Sequence, residues 1–183
     1  MTSEKHLKLL LPYYVKEYRN IISPELAQEI ITQPDLKFFP ATSGGGKFTE
    51  ARRCYVKPLE SKFNKKISSI VKDLFESYTQ EFKFFDVLKM KDSGYDHLLY
   101  KGEESQEYKE HIDHSLFNKQ RILSCSLLLN DDYEGGNFSF FGGEYVLSRL
   151  ACSAIVFPSN PCFPHSITPI YQGDRHAIIT WVH

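Results

Sequence analysis

The spacing of hydrophobic residues changes near residue 84. Before that point, apolar residues recur at steps of three and four, which predicts one long amphipathic helix with a single buried stripe. Charged residues fall mostly on its other faces. The stripe consists of Leu59, Phe63, Ile67, Ile70, Leu74 and Tyr78. Such a stripe is typical of core packing, so we expect this helix to cover a sheet.

The chain ahead of this helix predicts smaller elements. Ser23 is suited to an N-cap and Pro24 to the first helical turn, so a short helix is expected there, ending before Pro34. Residues 13–22 mix apolar and polar positions and predict an edge strand. Residues 40–50 are rich in Gly, Ser and Thr and predict a loop.

Beyond residue 84 the pattern becomes that of short strands separated by turns rich in Gly, Asn, Asp and Pro. The predicted strands are 84–90, 97–100, 121–129, 137–141, 145–147, 153–157, 166–170 and 175–181. Several strands at this spacing predict two packed sheets, as in a jelly roll. The expected fold class is therefore α+β, with helices ahead of a double-sheet barrel, in a single domain over residues 1–183.

Composition narrows the function classes only slightly. The 183 residues carry a formal charge of −1, which gives no sign of a nucleic-acid partner. No apolar run approaches the roughly 20 residues that span a bilayer, and the first 15 residues do not form a signal peptide pattern. The four cysteines have no C-x-x-C pairing. Reduced thiols and a cytoplasmic location are therefore expected.

The candidate chemistry centres on His111-x-Asp113. Residues two apart on an extended segment project to the same side, so this imidazole and carboxylate can share one metal ion. Two His and one carboxylate form the arrangement used by non-haem Fe(II) oxygenases, and His165 is the candidate third ligand. Arg175 follows Gly173 at the start of the last predicted strand. Its planar, permanently charged fork suits the distal carboxylate of a 2-oxo acid.

Other interpretations compete with this one. His111 and Asp113 alone could be a structural hydrogen-bonded pair. Together with His114 they match half of the zinc-hydrolase pattern H-x-H-x-D-H, but Lys109 stands where its first His belongs. A GGGK segment suggests a phosphate-binding loop, but Phe48 follows it where Ser or Thr is required.

The order and spacing of the motifs resemble the prolyl 4-hydroxylase branch of the 2-oxoglutarate/Fe(II) dioxygenases over residues 84–183. The segment Ile21–Leu26 is also similar to the opening segment of that family. The matching residues are Tyr100, Tyr108-x-x-His111-x-Asp113, Arg121, Leu129-Asn130-Asp131, Glu134-Gly135-Gly136, Ala154-Ile155-Val156-Phe157, His165-x-x-x-Pro169, Gly173-x-Arg175 and Trp181.

The resemblance implies a double-stranded β-helix over residues 84–183, with residues 1–83 as helical support. It implies that His111, Asp113 and His165 bind Fe(II). It further implies that Arg175 forms a salt bridge with the distal carboxylate of 2-oxoglutarate and that Tyr100 lines the same pocket. A core role for Tyr100 is the alternative.

The activity implied is hydroxylation of peptidyl proline, with conversion of 2-oxoglutarate and O₂ to succinate and CO₂. The partner would be a proline-containing peptide or protein. The cofactors would be Fe(II) and 2-oxoglutarate, and ascorbate would be an accessory cofactor. The same fold accepts other side chains, free amino acids and nucleobases, and a catalytically silent binding module is a further alternative. Loops 40–53, 91–97 and 114–120 are expected to select the substrate.

Two positions depart from the family pattern. Leu128 stands where some relatives have a Tyr, and Ile179 where relatives often have a Thr, with Thr180 one place later. The resemblance therefore predicts fewer hydroxyl partners for the distal carboxylate.

Overall fold

The structure is a computed structural model that describes residues 10–34, 37–42, 50–85, 90–114 and 120–183. Its two helices are α1 (Pro24–Ile31) and α2 (Ser61–Glu81). The Ser23 hydroxyl accepts a hydrogen bond from the Leu26 N–H at 3.2 Å, which confirms the predicted N-cap. Helix α2 buries Phe63, Ile67, Leu74 and Tyr78 of the predicted stripe, whereas Ile70 is only partly buried and Val71 is buried beside it.

The described residues form fourteen strands, all paired antiparallel. They are β1 (Lys16–Tyr18), β2 (Phe39–Pro40), β3 (Arg52–Arg53), β4 (Tyr55–Pro58), β5 (Asp96–Lys101), β6 (Glu107–His111), β7 (Leu123–Leu128), β8 (Glu134–Gly135), β9 (Phe138–Phe140), β10 (Tyr145–Val146), β11 (Ser153–Pro158), β12 (His165–Ile167), β13 (Ile170–Gln172) and β14 (Asp174–Val182). The major sheet has the order β1-β11-β7-β14-β5-β4-β2, and the minor sheet the order β10-β9-β12-β6-β3. Strands β8 and β13 form a separate pair. The α+β jelly-roll prediction is confirmed.

The core has two layers, one on each face of the major sheet. Helix α2 packs on the outer face, where its stripe meets residues such as Leu127 and Ile178. The inner layer lies between the sheets and includes Tyr100, Phe140 and Phe157. Because side chains alternate along a strand, β14 contributes residues to both layers. The inner face of the major sheet is the one that faces the candidate site, whose potential ligands His111 and His165 lie on the minor sheet.

Some predicted elements differ from the structure. Lys83–Phe85 forms a 3₁₀ turn where a strand was predicted, because Phe84 and Phe85 pack with the aromatic rings at the end of α2; residues 86–89 of that prediction lie outside the described residues. Residues 96–97 of a predicted loop belong to β5. Strands β2 to β4 were not predicted as strands, since they are short and show no alternation. They add strands to a region expected to be mainly helical.

The cysteines and the helices bear on whether the chain has a disulfide framework or a membrane span. All four cysteines lie in the described ranges and are unpaired, and three of them are buried. Of the helices in the described part of the chain, none is both long and apolar enough to cross a membrane.

Candidate metal centre

Three potential ligands meet on the minor sheet. Strands β6 and β12 are antiparallel neighbours, and their pairing places His165 directly opposite His111. Asp113 follows two residues beyond the end of β6. Its Oδ1 lies 3.8 Å from Nε2 of His111, and its Oδ2 lies 3.7 Å from Nε2 of His165. The three side chains offer ligand atoms within 4.8 Å of one another, so they could hold one ion.

Backbone carbonyls orient both imidazoles in the same way. Nδ1 of His111 lies 2.8 Å from the carbonyl oxygen of Lys109, and Nδ1 of His165 lies 3.0 Å from that of Phe163. A carbonyl oxygen only accepts, so each Nδ1 carries the proton and donates. The lone pair is then on each Nε2, which faces Asp113. Metal-binding histidines are commonly held by such a second hydrogen bond.

The Asp113 carboxylate is oriented by two donors on one oxygen. Its Oδ2 accepts hydrogen bonds from the Ser124 hydroxyl at 2.7 Å and the Trp181 indole N–H at 2.9 Å. No described residue donates a hydrogen bond to Oδ1, whose nearest cation is the Arg121 guanidinium at 4.0 Å. Burial alone would raise the pKa of Asp113, but the two imidazoles and the two donors hold that pKa below its ordinary value.

Aromatic rings enclose the two imidazoles. The Tyr108 ring stacks on His111 with centroids 3.4 Å apart, and the Phe138 ring is parallel to His165 at 5.4 Å. Phe157 meets His165 edge-on at 4.8 Å. Burial, followed by the nearby His165, lowers the pKa of His111 to about 4. His111 is therefore neutral near pH 7, as a metal ligand must be.

The donor set fits Fe(II). Two imidazole nitrogens and one carboxylate oxygen form the facial set of non-haem Fe(II) oxygenases. Within the described residues, no second cluster of three such side chains occurs. Asn130 instead closes a turn, because its side chain donates to Asp132 Oδ1 at 2.6 Å and to the Asp174 carbonyl at 2.7 Å.

Arg175 is a buried cation in the inner layer. It is only 2% exposed and lies opposite Tyr100, with its Cζ 5.3 Å from the centre of the Tyr100 ring. Its Nε is buried and has no hydrogen-bond partner among the described residues. A buried guanidinium N–H without a partner is costly, which suits a site for an anion. That Arg175 binds the distal carboxylate of a 2-oxo acid stays a prediction.

Tyr100 packs beside Arg175 in the inner layer. Burial raises the pKa of its hydroxyl well above the ordinary value, and the neighbouring Cys54 thiol adds to the effect. The hydroxyl therefore stays protonated. Leu128 and Ile179, the two positions that depart from the family pattern, pack in the inner layer. Thr180 pairs with Cys125 of the outer layer, so it faces away from Arg175.

Sequence reasoning missed the partners of Asp113. Trp181 and Ser124 lie opposite each other on β14 and β7, and both reach the carboxylate. The sequence held one signal for Trp181. It stands six residues after Arg175, and residues an even number apart on a strand lie on the same face. For Ser124 the register between two strands was needed.

The sequence resembles known oxygenases over its second half. Residues 96–183 match the family described as the 2OG-Fe(II) oxygenase superfamily. A PKHD-type hydroxylase of Colwellia psychrerythraea is 34% identical over 83 residues, which cover 41% of this chain and 36% of the relative. The chain thus spans about a third of the length of that relative.

Solved structures share the fold along nearly the whole chain. A prolyl hydroxylase from Trichoplax adhaerens, in complex with a hypoxia inducible factor oxygen degradation domain peptide fragment, superposes with a TM-score of 0.76 at 18% identity, covering 96% of this chain and 86% of that one. A Pseudomonas putida prolyl-4-hydroxylase gives 0.73 at 16% identity, covering 98% and 97%. At these identities the likeness shows the fold.

Proposed function

We propose that this protein is an Fe(II)- and 2-oxoglutarate-dependent hydroxylase of the prolyl 4-hydroxylase-like branch, because residues 96–183 match the 2OG-Fe(II) oxygenase superfamily. The observation that carries the proposal is the convergence of His111, Asp113 and His165, with the Nε2 atoms 3.8 and 3.7 Å from the two oxygens of the carboxylate. A zinc hydrolase is less favoured, since Lys109 contributes only a backbone carbonyl to His111.

In this proposal His111, Asp113 and His165 hold Fe(II), Arg175 binds the distal carboxylate of 2-oxoglutarate, and Tyr100 lines the pocket. When bound, Fe(II) and 2-oxoglutarate supply the oxygen chemistry that yields succinate, CO₂ and a hydroxylated product. The chain supplies orientation and shielding. The Lys109 and Phe163 carbonyls fix the imidazoles, and the aromatic walls around them exclude water.

For the substrate we propose peptidyl proline. The support is the hydroxylase name of the Colwellia relative and the peptide bound to the Trichoplax structure. A cleft of about 460 Å³ lies elsewhere on the described surface, lined by Pro40, Arg52 and Tyr55 among others but by none of the proposed ligands. It borders the loop 40–53 that was expected to select the substrate, of which residues 43–49 lie outside the described residues, as do 115–119 of the loop 114–120.

We further propose that residues 1–183 act as one domain in which residues 1–83 support the barrel. The packing of α2 against the major sheet and the addition of β4 to its edge support this view. A cytoplasmic location and ascorbate as an accessory remain predictions from the sequence.

The test is an anaerobic titration of the metal-free protein with Fe(II) and then 2-oxoglutarate. A weak visible charge-transfer band that needs both additions, and that is lost in His165→Ala but kept in His114→Ala, is the expected result. Succinate formation in air should then be lost in His111→Ala and Asp113→Ala. Iron binding without the band would contradict the oxygenase proposal. A band without succinate formation on any tested peptide would favour the silent binding module.

A further inference from the structure

Tyr133 is a buried residue that the site described so far does not use. It lies between β7 and β8, is 4% exposed and packs in the inner layer. Its hydroxyl oxygen is buried and has no hydrogen-bond partner among the described residues. Leaving a buried hydroxyl unpaired costs about 1–3 kcal/mol. Such a group is expected to have a partner supplied from outside the chain.

The position of Tyr133 beside Arg175 suggests what that partner is. A Cβ atom built on Gly136 would lie 2.8 Å from Cε2 of Tyr133 and 3.2 Å from Cδ of Arg175. Cε2 is bonded to the carbon that carries the hydroxyl, and Cδ is bonded to Nε, the other buried donor without a described partner. The side chains that carry the two unpartnered donors therefore both pack against Gly136, so closely that a Cβ atom at this position would not fit.

Contacts on the other side hold Tyr133 in place. The guanidinium of Arg149 donates a hydrogen bond to the Tyr133 carbonyl, and its Cζ lies 5.5 Å from the centre of the ring. A Cβ on Gly173 would lie 3.1 Å from both Cα and Cβ of Tyr133, so that turn packs closely against it. The hydroxyl is thus presented by an anchored residue.

We propose that the Tyr133 hydroxyl donates a hydrogen bond to the distal carboxylate of 2-oxoglutarate beside Arg175. The inference rests on the proposed function. A carboxylate can accept from the hydroxyl and the guanidinium together, which satisfies both unpaired donors. Tyr133 would then take the place of the hydroxyls absent at Leu128 and Ile179, and it would favour 2-oxo acids that carry a second carboxylate.

The test compares two ligands on the anaerobic Fe(II) protein. Dissociation constants are measured from the charge-transfer band for 2-oxoglutarate and for 2-oxopentanoate, which has the same chain without the distal carboxylate. Tyr133→Phe should weaken 2-oxoglutarate binding about tenfold, because a hydrogen bond to a charged group is lost. Binding of 2-oxopentanoate should change less than about twofold. Tyr171→Phe, which alters a side chain that is 67% exposed, is the control and should change neither.

Thermal unfolding of the ligand-free protein provides a second readout. If the hydroxyl has no partner within the chain, Tyr133→Phe should leave the Tm unchanged or raise it. A lowered Tm would overturn the proposal, as would equal effects on both ligands or an unchanged 2-oxoglutarate constant. If the unsubstituted protein with Fe(II) binds neither 2-oxo acid, the proposed function itself fails, and this outcome is distinct from the others.

Discussion

Replacing Trp181 by Phe isolates one hydrogen bond of the metal centre. The change removes the indole N–H that donates to Asp113 Oδ2 at 2.9 Å. It retains an aromatic ring beneath Arg121, whose Cζ lies 3.6 Å from the centre of the Trp181 ring. Oδ2 then keeps the Ser124 hydroxyl as its donor, at 2.7 Å. The carboxylate can rotate more freely, so we expect weaker metal binding.

The expected size follows from the two donors. A hydrogen bond to a charged group is worth about 1.5–3 kcal/mol, and loss of a residue that orients a metal ligand typically costs about 10–100-fold in affinity. Because Ser124 still holds Oδ2, Trp181→Phe should weaken binding about tenfold, at the low end of that range. Adding Ser124→Ala should bring the loss to about 100-fold.

The measurement is calorimetric titration of the metal-free protein with Mn(II), which avoids oxidation. Thr180→Val is a matched control on the same strand. It removes a buried hydroxyl that has no partner among the described residues and faces the outer layer, so the Mn(II) affinity should not change. If the double variant stays folded and binds Mn(II) as the unsubstituted protein does, Asp113 is not a ligand oriented by these donors.

Three further outcomes are expected. Arg175→Ala should raise the 2-oxoglutarate concentration needed for succinate formation far more than it weakens iron binding. Arg175→Lys should restore only part of the 2-oxoglutarate binding, since an ammonium lacks the planar fork. If Arg175→Ala weakened iron binding and 2-oxoglutarate binding equally, the anion site would be contradicted. Burial, with the adjacent His176 and Lys57, lowers the pKa of His97 from 6.5 to about 3. The folded state thus favours the neutral ring, and stability should fall as pH drops below about 6.5, by up to about 1.4 kcal/mol per pH unit. Urea unfolding at pH 7 and pH 5 should show a smaller fall in His97→Gln. Ile67→Ala should lower the free energy of unfolding by about 2–5 kcal/mol, and Ile70→Ala, on the partly buried side of α2, by less; equal losses would contradict the orientation of the helix.

Elements with strong local patterns could be predicted from the sequence. Helix α2 follows from its apolar period, and β7, β11 and β14 follow from runs of apolar residues bounded by turns. Strands β3 and β6 consist mostly of polar residues, and their conformation depends on pairing with each other. A local sequence pattern cannot predict this pairing, because the two strands are separated by about fifty residues.

The candidate site divides in the same way. His111 and Asp113 are recognisable because two potential metal ligands two residues apart on an extended segment project to the same face. The donors that hold Asp113 come from other strands, and only the register of β7 against β14 places Ser124 opposite Trp181. Ligands are therefore easier to predict than the groups that orient them.

The hydroxyl proposed at Tyr133 shows why a missing family residue need not mean a missing interaction. A side chain at 128 would reach the inner layer directly from β7, and Leu128 fills that place with an apolar group. Five residues later, after a turn closed by Asn130, the chain returns to the same layer with Tyr133. A carboxylate requires donors at the right places in space, whichever segment provides them. Comparison of aligned positions would therefore predict weaker binding of the distal carboxylate, whereas the proposed donor at Tyr133, which packs with Arg175 against Gly136, predicts that binding is retained.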